Sequence, residues 1–331
     1  QALVILSCVG IVIRRSGAAT WFYWGFIVVA AFNVLVGLKS IGVGMLLADS
    51  PEAVSRDAGL TGNANALGYF CFLGFWGGVA LWGEKRSWLT RAAIVTGGAV
   101  ALYGVVVSAS RGAFLSVMVA AALWGGLCLR AGVRNRLYLM FALVGVGGVF
   151  LLFGRFVVQR TYTGQRLASI AEMEDGSSLT RLELARTGLE LALQNPIQGV
   201  GTGQFAVASG TGRDPHSEMV ELLSTTGLIG FLLYSAIYVV AWRRVSLALR
   251  RSTDPLVQYR GNLVRVMIIN LVMAGALFRP NYLSIDSINF LALAVGLSEW
   301  VAAQAGPVQR QSLLAQEKAS IVVRRCSPRI V

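Results

Sequence analysis

Nine stretches of this chain are apolar almost throughout and nearly free of charge: residues 2–13, 18–38, 66–82, 92–107, 113–129, 137–153, 220–242, 266–278 and 283–301. A helix needs about 20 mostly apolar residues to cross the hydrocarbon of a bilayer, and most of these stretches approach that length. Backbone groups in lipid find no water to bond, so such a segment must close its hydrogen bonds internally, as a helix. Composition agrees: 14% of the residues are charged and 55% hydrophobic, whereas soluble domains are about one-quarter charged. The 38 glycines and 7 prolines follow no period, and the apolar content is too high for a collagen-like or disordered chain. The expected fold is an all-α polytopic membrane protein, a multi-span helical bundle.

One long polar stretch, 155–215, interrupts the pattern. The expected organisation is a transmembrane part at 1–154, a polar loop at 155–215, a second transmembrane part at 216–303 and a basic tail at 304–331. Short loops rich in Lys and Arg stay cytoplasmic, and here alternate connections hold most of the 29 basic residues, in clusters such as Arg130, Arg134 and Arg136, or Arg243, Arg244, Arg250 and Arg251. The other connections hold most of the 16 acids. The net charge of +13 is thus a topology signal, with the C-terminus cytoplasmic and 155–215 outside. Nucleic acid is not an expected partner, because that needs basic residues interleaved with aromatics on one soluble face. Gln1 falls inside an apolar run, which reads as the continuation of upstream sequence. An odd number of further helices, three for example, would place the N-terminus in the cytoplasm.

Charge near a membrane is costly and tends to be paired or functional, so isolated outer-face residues carry the chemical information. Arg111 sits in a short connection, SASRGA. It is either an arginine snorkelling to headgroups or a guanidinium for an anion. In the polar loop, Thr180 with Glu183 reads as a capping box opening an amphipathic helix with Leu182, Ala185, Leu189 and Leu193 as its stripe, ended by Asn195 and Pro196. That helix would lie on the membrane surface or against the bundle. Arg181 would fall in its first turn, where a cation opposes the helix dipole and an anionic partner is therefore expected. Arg186 and Arg166 are anion-binding candidates that solvated surface charge explains as well. The alternating Gly199, Gly201 and Gly203 lack the flanking strand and the continuation of a phosphate loop and read as a tight turn back to the membrane.

The single histidine stands in RDPHSEMVELL. Asp214 as N-cap and Pro215 as first helical residue would put His216 in the first turn of the helix that continues as the span at 220. The positive helix end would lower its pKa and favour neutral imidazole. Ser217, Glu218 and Glu221 follow at the membrane entrance. No metal and no cofactor are expected: Cys8, Cys71, Cys128 and Cys326 have no ligand spacing, and the acidic run Glu172, Glu174, Asp175 reads as a solvated loop.

Four blocks in chain order between residues 56 and 242 give the chain its resemblance. They are RDAGLTGNANALG with Asn63 and Asn65; SASRGA with Arg111; LTRLELARTGLELALQNPIQGVGTGQF with Arg181; and His216-Ser217, nine residues, then Gly227-x-x-Gly230. Together they resemble the O-antigen ligase and polymerase superfamily of bacterial membrane glycosyltransferases. The resemblance implies a bundle akin to lipid-dependent glycosyltransferases, in the inner membrane of a Gram-negative bacterium and with its active site facing the periplasm. It implies an undecaprenyl-pyrophosphate-linked glycan as donor and a lipid A core sugar as acceptor, with membrane lipids around the bundle. In the polymerases the acceptor is another carrier-linked unit, and in other relatives a protein hydroxyl. The roles implied are pyrophosphate binding for Arg111 and Arg181, and activation or positioning of the acceptor hydroxyl for His216. Asn63, Asn65, Arg166, Arg186, Ser217 and Glu218 are candidate substrate contacts, and capping explains the two asparagines equally well. A transporter, the reading from another class, predicts ionisable residues at mid-membrane and repeated halves. Here such residues gather at one face.

Overall fold

The computed structural model describes residues 18–41, 59–61, 63–83, 87–108, 110–130, 176–277 and 291–304. Among the described residues there are helices and turns but no strand, as the apolar pattern requires. The helices are α1 (Ala18–Ile41), α2 (Ala64–Trp82), α3 (Trp88–Val107), α4 (Arg111–Arg130), α5 (Gly176–Gln194), the single turn α6 (Phe205–Ala208), α7 (Glu218–Arg251), α8 (Pro255–Leu277) and α9 (Leu291–Gln304). Four of them, α1, α2, α3 and α7, are long and apolar enough to cross a membrane. The expected spans at 2–13 and 137–153 lie outside the described residues.

The boundaries differ from expectation where charge hides helix. The span expected at 266–278 is the second half of α8, which begins at Pro255. Its first turns carry Arg260 and Arg265, and these arginines lie over the rings of Trp300 and Trp242 at 4.8 and 5.2 Å. Cation–π contact lets the two guanidinia stay within the helical bundle. Likewise α7 runs past Trp242 through Arg243 and Arg244 to Arg251, and Arg244 pairs with Glu299 of α9.

Helix α2 is the centre of the bundle, packed against α1, α3 and α4. An aromatic ladder runs along it: Tyr69 to Phe72 at 5.5 Å, Phe72 to Trp76 at 6.3 Å, then across to Trp124 of α4 at 6.2 Å and Tyr259 of α8 at 5.1 Å. By contrast, Leu228, Ile229, Leu232 and Leu233 of α7 and Val28, Phe32 and Leu35 of α1 point outward, as apolar side chains facing lipid do.

Pairs of contacts orient the bundle. At one end, the first turns of α2 meet the α3–α4 turn, Tyr69 donates to the Asn270 carbonyl of α8, and Ser217 donates to the Ala276 carbonyl. At the other, Tyr259 of α8 donates to the Val79 carbonyl near the end of α2, and Gln258 donates to the Leu249 carbonyl at the end of α7. The second end holds Arg91, Arg244, Arg250, Arg251 and Arg260; the first gathers the starts of α2, α4 and α7. The charge asymmetry read from the sequence is therefore an asymmetry between the two ends of one bundle.

Candidate active site

Three helix starts lie at the end of the bundle that lacks the basic cluster. Asn63 caps α2, its side chain accepting from the Asn65 amide at 2.9 Å, so the capping alternative for Asn63 is realised. Gly68, one turn on, lies so close to the next connection that a Cβ would collide with Ser108, Ser110 and Ala113. This contact seats the α3–α4 turn. Ser110 opens α4 by accepting from the Ala113 amide at 3.4 Å, and Arg111 is the first helical residue. The Arg111 side chain lies outside the described residues.

The third start departs from expectation. Asp214 and Pro215 do not begin the helix: the N-cap of α7 is Ser217, extended at φ −138°, with its Oγ accepting from the Val220 amide at 3.4 Å. The same hydroxyl donates to the Ala276 carbonyl at 2.7 Å, so packing against α8 chooses this cap over the local signal. His216 consequently precedes the helix, with φ +54°, among the described residues the one non-glycine in the left-handed region. Such a conformation is uncommon outside glycine and concentrates at functional sites.

His216 is exposed, yet its pKa is lowered. Partial desolvation is the largest cause, the positive charge of Arg181 comes next, Asp214 opposes and Arg213 adds to the lowering. The expected direction holds, but the cause is burial and two arginines. Neutral imidazole, able to accept a proton, is the favoured form near pH 7.

The charge of Arg181 acts on His216 because of how α5 packs. That helix starts at Gly176, a turn before the expected capping box, so Thr180 and Glu183 are interior and Arg181 is in the second turn. The preceding Ser177, Ser178 and Leu179 continue the helix backwards, and a capping pattern does not forbid that. The face that packs also differs: Leu184, Gly188 and Ala192 are buried, while Leu182, Leu189 and Leu193 are exposed. A Cβ on Gly188 would strike Val220, so this glycine seats α5 against the first turn of α7. Arg181 lies half-buried on the same face of the helix, and its charge acts on His216.

The glycine-rich turn after α5 has a structural task that is not legible as a motif. At Gly227 the backbone leaves the helix, with φ +65° and ψ −167°, and α7 is broken. An unbroken helix would pair the Ser224 and Thr225 carbonyls with amides one turn on. Instead those carbonyls accept from the Val200 and Gly201 amides, each at 2.9 Å, and the Leu228 amide donates to the Pro196 carbonyl at 2.8 Å. Gly199 at φ +69° lies against the Thr225 backbone, and Gly227 against Ile197. The turn thus splices the break, and the spacing from His216 to Gly227 is the length of the helical piece that carries the site.

Glu218 is fully buried and accepts from Tyr234. Glu221 is buried as well, and its Oε2 has no hydrogen-bond partner among the described residues. Arg186 is far more exposed and pairs with Glu190 one turn on, at 3.1 Å; exposed pairs of this kind contribute little. Arg166, Glu172, Glu174 and Asp175 lie outside the described residues. Arg213, beside His216, was not among the expected site residues, although its place three residues earlier in sequence was the available signal.

A comparison with curated proteins finds no match. Against family models, residues 96–235 match O-Antigen ligase. The match runs from α3 into α7 and holds Arg111, Arg181, the glycine turn, His216, Gly227 and Gly230; Asn63 and Asn65 precede it. Over residues 96–235 this polytopic helical membrane protein is thus similar to the O-antigen ligase family.

Proposed function

We propose that the chain is an O-antigen ligase that transfers a glycan from undecaprenyl pyrophosphate to a sugar of the lipid A core, at the periplasmic face. The observation that carries the reading is that His216, in the left-handed region just before α7, feels the charge of Arg181 of α5 at the end of the bundle where α4 begins with Arg111. The acceptor hydroxyl oxygen attacks the anomeric carbon, the bond from that carbon to the pyrophosphate oxygen breaks, and the hydroxyl proton passes to neutral His216. Charge developing on the departing lipid pyrophosphate falls to Arg111 and Arg181, since a guanidinium is always charged and binds phosphate oxygens in pairs. A single displacement of this kind inverts the anomeric centre. No step calls on a metal ion. The His216-Ser217 to Gly227-x-x-Gly230 spacing supports ligase over polymerase.

The test is a reconstitution of purified protein with undecaprenyl-pyrophosphate glycan, with and without lipid A core. A core adduct that disappears in His216→Ala and in Arg111→Ala supports the assignment. Longer carrier-linked chains in the absence of acceptor would make the protein a polymerase instead, and no product of either kind would bring back the transporter reading.

A further inference from the structure

Helix α5 carries three faces where an ordinary surface helix has two. With residues about 100° apart around the axis, Arg181, Leu184, Gly188 and Ala192 form the face against α7, and Glu183, Thr187 and Glu190 form a polar face. Between them runs a leucine stripe with no protein against it among the described residues: Leu182 is 68% exposed, Leu189 49% and Leu193 80%. Water is a poor neighbour for large apolar side chains exposed along one side of a helix, and exposed apolar patches mark interaction surfaces. We infer that this stripe lies in the lipid headgroup and acyl boundary, holding α5 flat on the outer leaflet.

The position of the stripe selects lipid over protein as its occupant. At its C-terminal end α5 runs into Pro196, whose carbonyl is bonded to the Leu228 amide of α7, and Ile197 there is 61% exposed. Leu228 and Ile229 begin the outward apolar face of α7, so the stripe is continuous with a surface that a spanning helix presents to lipid. Arg186 and its partner Glu190 border the stripe on the water side, where a long cationic side chain reaches the headgroups. The stripe would then sit about 5–10 Å into the headgroup and acyl boundary, the depth at which helices lying in the interface bury their apolar side chains. Because Arg181 is on the adjoining face, lipid contact would set its height at the headgroups. That corollary rests on the proposed transfer; the lipid contact does not.

The test places a nitroxide label at Leu182→Cys, Leu189→Cys, Leu193→Cys and, as the water-facing control, Glu183→Cys, in the full chain with Cys8, Cys71, Cys128 and Cys326 replaced. The proteins are reconstituted in nanodiscs of phosphatidylethanolamine and phosphatidylglycerol. The expected result is an oxygen-to-nickel-chelate accessibility ratio several-fold higher at the three leucine positions than at Glu183. Ratios equal to the control would put the stripe in water and overturn the inference. Labels immobilised and shielded from both reagents would overturn it in favour of a protein occupant. Glycan transfer by the unlabelled Leu182→Cys protein reads the proposed function separately, so failure of one does not pass for failure of the other.

Discussion

Neutral His216 is the residue on which the proposed chemistry turns, and its charge neighbours make the pH dependence predictable. Its pKa lies below 6.5, so kcat/KM is expected to stay level from neutral pH downward and to fall only once the imidazole protonates, below 6.5. Arg213 lowers that pKa and Asp214 raises it. Arg213→Gln should therefore move the acid limb up, and Asp214→Asn should move it down. A pH profile of kcat/KM, which reports the free enzyme, checks both signs; unmoved limbs would remove His216 as the titrating group. Loss of a general base lowers rate by about 10²–10⁴-fold, and that is the expected effect of His216→Ala on transfer in single-turnover assays.

At the scale of elements, the break in α7 is the feature on which the site depends. Alanine at Gly227 would adopt a region that costs about 1–3 kcal/mol outside glycine, and its Cβ would strike the Ile197 backbone. Gly227→Ala should lower the unfolding temperature in detergent and weaken transfer together, because the splice holding α5 and Arg181 loosens. Ser217→Ala removes a cap, for which about 1 kcal/mol is typical, and also the bond to Ala276 that seats the start of α7. Thermal unfolding of the variant should show a destabilisation at least that large. Equal stability to the parent would mean that the cap does not hold His216 in place.

The described bundle divides into a basic end and a site end, and the proposed topology puts the basic end in the cytoplasm. With the basic end cytoplasmic, a membrane-impermeant maleimide applied to spheroplasts should label Thr211→Cys and leave Thr253→Cys unlabelled until the membrane is permeabilised. Both positions are exposed, so accessibility reports side and not burial. The opposite pattern would invert the bundle and move the site to the cytoplasm. The packing of α2 against α1, α3 and α4 makes the described bundle one body around its central helix.

Much was legible without coordinates because lipid imposes simple rules on a chain. Apolar runs must become helices, basic residues concentrate at one end, and the order of Arg111, Arg181, His216 and Gly227 carries the family pattern. Helix starts were less legible. Local capping signals at Thr180 and Asp214 were each overruled, the second by the bond that the Ser217 hydroxyl donates to the Ala276 carbonyl, about sixty positions away. The stripe of α5 misled for a related reason: either apolar face could have packed, and Gly188, with no side chain, let α7 approach the other one. The break at Gly227 and its splice by the Pro196–Gly201 turn were beyond sequence, since backbone groups of two distant segments satisfy one another there and leave no periodic trace. Element type and membrane class were decided by the chain's own chemistry; which distant arginine's charge acts on the histidine was decided by packing, because only tertiary contact fixes the face a helix presents.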